Sequence, residues 1–185
     1  MIKNLMKNTE ERMKKTLEVL EDQLRSIRTG RASPALVERV MVEYYGVPTP
    51  LNQLAVISAP EPQLLTIRPY DPSSLEAIER AIMSSDLGLN PSNDGKIIRL
   101  VIPSLTQERR EELVRMVNRR VEEAKVALRN IRREALEKLR EMEKGKEISE
   151  DDFFRARDDL QDLIDRYAEE AEELGKRKSR EVLEV

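Results

Sequence analysis

The stretch from Thr106 to Lys144 contains no proline or glycine and repeats an apolar residue every three or four positions. A repeat near 3.5 residues places one apolar seam on a single face of a helix. Such a helix would be about 57 Å long at about 1.5 Å per residue, and a lone apolar seam in water contributes little stability. The stretch therefore predicts a rod that needs partner helices. The seam positions are Leu113, Val117, Val121, Ala124, Leu128, Ile131, Ala135, Leu139 and Met142.

Two other segments carry matching seams. Residues 4–28 predict a first helix that ends at Thr29-Gly30, and Ser149 with Asp152 resembles the capping box that starts a third helix. Together with the rod they predict an antiparallel three-helix bundle. The first seam comprises Met6, Met13, Leu17, Leu20, Leu24 and Ile27. The third comprises Ala156, Leu160, Leu163, Tyr167, Ala171, Leu174, Lys178 and Val182.

Residues 31–103 lack the helical repeat and show the patterns of strands and turns instead. Alternating or short apolar runs predict strands at 40–45, 54–57, 63–68 and 97–102. Turns are predicted at 59–62 and 93–95, and residues 46–50 predict a turn or an irregular crossing. Asp71-Pro72 predicts the start of a helix that ends at Gly88 and faces inward with Leu75, Ile78, Ile82 and Met83. This block predicts a small β/α/β domain.

The order of these segments predicts an α+β protein of two domains. Residues 1–30 and 104–185 are predicted to form the bundle domain, and residues 31–103 are predicted to form a second domain inserted between its first and second helices. Only two single stretches of chain join the domains, near 29–31 and 103–106, so a hinge is expected there. The hinge residues are Thr29, Gly30, Arg31, Pro103, Ser104 and Leu105.

Composition argues against several chemistries. The chain has no cysteine and no histidine, which excludes disulfides, thiolate or imidazole metal sites, and Cys or His catalysis. Asp71, Asp86 and Asp94 fall at turn or cap positions, where a structural role is expected. No GxxxxGK[ST] phosphate loop occurs, so GTP hydrolysis by the chain itself is not expected. We expect a protein that is not an enzyme and holds no cofactor or metal.

The first residues of the chain and the lengths of its apolar runs indicate where in the cell the protein is expected. Residues 1–10 lack the apolar core of a signal peptide, and no segment approaches the length of a membrane span. Apolar residues make up 39% and charged residues 37% of the chain, which suits long exposed helices. We expect a cytoplasmic monomer that binds neither membrane nor DNA.

Charge is unevenly distributed along the rod. Taking Leu128 as zero, Arg132, Lys125, Arg129 and Arg133 lie at about 40°, 60°, 100° and 140° around the helix. Such a stripe is either an ordinary solvated face or a phosphate-binding surface, for which arginine offers a planar and always charged fork. In the last turn of the first helix, Arg25 and Arg28 either complement the helix dipole or contact a partner.

Five stretches of the sequence form a set: LRSIRTGRASP at 24–34, YYGVPTPLNQLA at 44–55, SDLGLNP at 85–91, IPSLTQERR at 102–110 and LRNIRR at 128–133. Singly each is a weak signal, but together they span nearly the whole chain. In this order and spacing they resemble the ribosome recycling factor family of bacterial translation factors.

The resemblance implies an L-shaped molecule that binds the post-termination ribosome. With elongation factor G, and driven by GTP hydrolysis on that factor, it separates the subunits. The bundle is expected on large-subunit ribosomal RNA, with Arg110, Arg129 and Arg132 as principal contacts and Arg28 and Arg31 as secondary ones. The segments Phe153-Phe154 and 168–175 depart from the family pattern.

Periodicity alone leaves another function open. A coiled-coil scaffold or chaperone that binds proteins through the bundle would show the same seams. Salt-sensitive sedimentation with ribosomes distinguishes the two, since a scaffold should not sediment in this way.

Overall fold

A computed structural model describes residues 1–184 and divides them into two compact units. One unit contains residues 1–28 and 107–184, and the other contains residues 29–106. The first is helical, while the second combines strands with one α-helix. The predicted α+β fold of two domains is confirmed.

Four α-helices and six strands make up the regular structure of the described residues. The helices are α1 (Ile2–Arg25), α2 (Leu75–Met83), α3 (Gln107–Lys144) and α4 (Glu150–Leu183). The strands are β1 (Met41–Tyr44), β2 (Val47–Pro50), β3 (Ala55–Glu61), β4 (Leu64–Pro69), β5 (Pro91–Asn93) and β6 (Ile98–Val101).

Helices α1, α3 and α4 pack against one another in pairs. The predicted rod is α3, with 38 residues, and it runs antiparallel to α4. The contacts show this direction, because Lys125 meets Glu172 whereas the later residue Arg132 meets the earlier residue Gln161. Helix α1 is tied to both, through Arg12 to Glu134 at 2.7 Å and through Glu10 to Arg166 at 2.7 Å.

The seam of α3 matches its prediction. Every predicted position from Leu113 to Leu139 is buried, and Met142 is half-buried. Helix α1 ends earlier than predicted, at Arg25 with Ser26 as its C-cap, so Arg28 lies beyond the helix. Ile27 is buried although it lies beyond the end of the helix, and for this reason the apolar pattern predicted a longer helix than the structure has.

The seam of α4 differs from its prediction at two places. Ile164 and Gly175 are buried, whereas Leu163 and Leu174 are only half-buried. Tyr167, Ala171 and Val182 are buried as predicted, so the two differences are local shifts of one residue and the seam continues along the helix. At Gly175 the helices approach closely, since a Cβ there would lie 2.6 Å from Cγ2 of Val121.

The small unit is built on an antiparallel sheet with strand order β3-β4-β6-β5. Helix α2 packs its apolar face into the same core. Asp71 begins this region as predicted, because its side chain accepts the backbone N–H of Ser73 at 3.0 Å at the start of a 3₁₀ turn. The helix ends at Met83 and not at Gly88, and Met83 is exposed.

Strands β2 and β5 were not predicted from the sequence, and β3 was predicted too short. Val47–Pro50 was predicted as part of a turn or an irregular crossing, yet it is β2. It pairs with β1 through a turn at Tyr45 and Gly46, both with positive φ. Pro91–Asn93 is strand β5, and β3 continues through Pro60 to Glu61. Prolines lower strand propensity but are tolerated where a strand has a free edge. Strands β3 and β5 are the two edges of the sheet, and β2 belongs to a two-stranded ribbon.

Candidate nucleic-acid interface

Three of the predicted cations line one groove between α3 and α4. Lys125, Arg129 and Arg132 lie at successive turns of α3, and residues of α4 complete the wall. The α3 seam turns Leu128 inward, so side chains about 40° to 100° away from it emerge where α3 meets α4. The α4 wall consists of Gln161, Ile164, Asp165 and Ala168.

Each of these cations already has a partner within the bundle. Lys125 forms an ion pair with Glu172, and Nη2 of Arg129 lies 3.0 Å from Oε1 of Glu122. The hydrogen bond from Lys125 lowers the pKa of the Glu172 carboxyl below its ordinary value, so this carboxyl stays charged at neutral pH. Glu122 lies on α3 itself, whereas the antiparallel packing of α4 brings Glu172 to the groove.

Arg132 is held in place by a neutral side chain. Its Nη1 donates to Oε1 of Gln161 at 2.8 Å, and Nε2 of Gln161 donates to Oδ1 of Asp165 at 2.9 Å. Arginine has five N–H donors, so one bond leaves capacity for an oxygen-rich ligand. The Nε of Arg132 is buried and has no hydrogen-bond partner among the described residues.

The other predicted site residues lie apart from this groove. Arg133 is exposed and is not part of the groove lining. Arg110 is half-buried at the start of α3, about 22 Å along the helix axis from Lys125. Its Nε is buried without a hydrogen-bond partner in the described part of the chain. Arg28 is exposed just after α1, and Arg31 is exposed in the small unit.

One further cation, in an adjoining groove, was not predicted from the sequence. A second groove shares Arg132 and Gln161 with the first and is also lined by Arg157 of α4. Helix α4 carries more acidic than basic side chains, so its sequence shows no basic stripe that would point to Arg157. The pairing register of α3 with α4 was the missing information, because it places Arg157 in the same groove as Leu136.

Comparison with known proteins gives the family. The model of the ribosome recycling factor family matches residues 20–183. The chain belongs to the ribosome recycling factor family. The ribosome-recycling factors of Syntrophomonas wolfei and Roseiflexus castenholzii are each 55% identical to it over 185 residues, which cover all of both chains.

Solved structures of ribosome recycling factors are also similar. A solution structure of the ribosome recycling factor has a TM-score of 0.72 and 43% identity, covering 100% of this chain and 98% of that one. Another similar chain is described as part of models of the T. thermophilus ribosome recycling factor and the E. coli elongation factor G bound to the E. coli post-termination complex. It has a TM-score of 0.62 and 48% identity, with 99% of both chains covered.

Residues 1–184 show neither a membrane-spanning helix nor a cluster of metal-ligating side chains. No helix in that range is both long and apolar enough to cross a membrane. No group of three or more acidic side chains there is arranged to hold a metal ion.

Proposed function

We propose that this member of the ribosome recycling factor family binds the post-termination ribosome through the cations of its bundle. Lys125, Arg129 and Arg132 would hold phosphates of large-subunit ribosomal RNA, with Arg133 and Arg110 extending the surface along α3. Arg28 and Arg31 would contribute secondary contacts. The observation that carries the proposal is that three cations from successive turns of one helix line one groove.

The ion pairs already present in the groove are compatible with RNA binding. Arg129 and Glu122 are both more than half exposed, and exposed pairs of this kind contribute about 0–1 kcal/mol. A phosphate can therefore compete for the guanidinium at small cost. Arginine offers a bidentate fork to phosphate and can also stack on unpaired bases, which favours ribosomal RNA as the ligand.

We further propose a mechanical role for the two units. The stiff bundle would act as a lever, and the connections at residues 29–31 and 103–106 would act as its hinge. Elongation factor G would push on the small unit while hydrolysing GTP, and the motion would separate the subunits. In this scheme the chain supplies binding and rigidity in the cytoplasm, and the GTPase supplies the energy.

A single substitution tests the RNA-binding surface. We expect Arg132→Ala to weaken binding to purified ribosomes by about 1–3 kcal/mol, the usual value of hydrogen bonds to charged groups. It should also make the loss of binding with added salt less steep, because one phosphate contact disappears. Sedimentation at several salt concentrations measures both quantities.

Arg119→Ala is the matched control, because Arg119 is exposed on α3 at about 180° from Leu128. It should bind as the unaltered chain does. If Arg132→Ala also bound normally in low and moderate salt, Arg132 would be removed from the site. Binding that did not depend on salt at all would favour the protein-binding scaffold instead.

A further inference from the structure

The second groove, which shares Arg132 and Gln161 with the first, has an exposed aromatic ring next to its Arg157. Arg157 and Arg132 line the same stretch of groove, and Cζ of Arg157 lies 4.9 Å from the centroid of the Phe154 ring. Phe154 is 41% exposed, whereas its neighbour Phe153 is buried. The two rings meet edge to face, with centroids 5.4 Å apart and an interplanar angle of 69°. Phe153 therefore anchors an aromatic ring that remains accessible to solvent.

Proteins commonly bind unpaired bases with an exposed aromatic ring that lies beside a guanidinium group. Bases in single-stranded RNA stack on aromatic side chains and on arginine planes, while nearby cations hold the backbone. The carboxyl of Asp158 lies 3.4 Å from Nη2 of Arg157 and is largely exposed. A phosphate would be repelled by this carboxyl, whereas a neutral base would not. The local charge thus favours a base over a phosphate at this end of the groove.

We propose that Phe154 and Arg157 form a stacking site for an unpaired base of the RNA whose phosphates lie on Lys125, Arg129 and Arg132. This inference rests on the proposed function, because it takes RNA as the ligand of the groove. The stacking site is a contact additional to the phosphate contacts of the proposed function, which do not require it. The base stacks on the Phe154 ring or on the Arg157 plane, next to the backbone held by Arg132.

A tryptophan reporter tests the stacking directly. The chain contains no tryptophan, so Phe154→Trp introduces a single indole whose fluorescence can be followed alone. Titration with purified large ribosomal subunits should quench this fluorescence as a base stacks on the indole. Val19→Trp places the reporter at an exposed position of α1 and should show little quenching. Equal fluorescence changes for both variants would overturn the inference.

Affinity measurements separate stacking from simple apolar contact. We expect Phe154→Leu, which keeps an apolar side chain but loses the ring, to bind large subunits about 5- to 100-fold more weakly, whereas Phe154→Trp should retain affinity. The slope of affinity against salt should be unchanged in Phe154→Leu, because no phosphate contact is lost. Circular dichroism checks that both variants keep the helical content of the unaltered chain.

Crosslinking identifies the occupant. A benzophenone side chain introduced at position 154 should crosslink to ribosomal RNA, and crosslinking to protein alone would overturn the inference. The proposed function can fail separately. Weak binding by Arg132→Ala together with normal binding by Phe154→Leu would overturn only the stacking site. Normal binding by both variants would overturn RNA binding through this groove as well.

Discussion

At the scale of single residues, Gly175 shows how closely α3 and α4 approach. Glycine inside a helix costs about 1 kcal/mol relative to alanine, so the sequence alone suggests that alanine would be better there. The structure reverses this expectation, because an added Cβ would lie 2.6 Å from Cγ2 of Val121. Valine is stiff at χ1 and cannot easily move aside.

We therefore expect Gly175→Ala to lower the free energy of unfolding by about 1 kcal/mol, since overpacking outweighs the gain in helix propensity. Urea unfolding followed by circular dichroism measures the change. In a Val121→Ala background the same substitution should be neutral or stabilising, because the space is then available. A destabilisation of equal size in both backgrounds would show that the Val121 contact is not the cause.

The ionisation of Asp94 makes the stability of the fold depend on pH. Its Oδ1 accepts backbone N–H groups of Ile97 at 2.8 Å and Lys96 at 2.9 Å, and its Oδ2 lies 3.2 Å from Arg99. These bonds lower the pKa of the carboxyl from 3.8 to about 2. Because the folded pKa is the lower one, the stabilisation is present above pH 3.8 and is lost as the pH falls towards 2.

We expect Asp94→Ala to be less stable than the unaltered chain at neutral pH, with a difference that shrinks as the pH falls to about 2. Denaturant unfolding across this pH range measures it. Asp86→Ala removes another exposed carboxylate of the same unit, which makes it the control. A difference that stayed constant with pH would show that the carboxylate charge is not what stabilises this turn.

At the scale of elements, the start of α4 is determined locally. Ser149 accepts the backbone N–H of Asp152 at 3.0 Å, and the Asp152 carboxyl accepts the N–H of Ser149. This confirms the capping box predicted from the sequence. We expect Ser149→Ala to lower the free energy of unfolding by about 1 kcal/mol, measured by urea unfolding. Ser149→Asp keeps a side-chain acceptor and should stay near the original stability.

Elements defined by local or periodic signals were predictable, whereas those defined by their neighbours were not. The α3 seam and the α4 cap follow from residue spacing alone. Strands β2 and β5 could not be recognised, because their prolines are acceptable only at sheet edges, and edges are known only after the sheet has formed. Arg157 was missed for a related reason, since its place beside Arg132 depends on how α4 packs on α3.

At the scale of the whole molecule, the two segments of the proposed hinge lie close together at Gly30 and Leu105. Gly30 has a φ of +76°, and a Cβ there would lie 2.8 Å from Cγ of Leu105. The two chain segments proposed as the hinge therefore contact each other closely. A side chain at position 30 would disturb both segments at once.

We expect Gly30→Ala to slow subunit splitting in an assay with elongation factor G and GTP, while salt-dependent binding to ribosomes is retained. Gly88→Ala is the matched control, because Gly88 also has a positive φ, +66°, but nothing lies within 4 Å of its added Cβ. It should split subunits at nearly the original rate. Full splitting activity in Gly30→Ala would show that this junction does not need its native packing.

The prolines of the small unit affect how readily its strand edges can pair with other protein chains in the cell. Both edges of its four-stranded sheet carry one, Pro60 on β3 and Pro91 on β5, and β2 of the ribbon carries Pro48 and Pro50. Exposed strand edges invite pairing with other chains, and proline removes the N–H that such pairing needs. We therefore expect these prolines, which made the strands hard to predict, also to oppose aggregation through the strand edges.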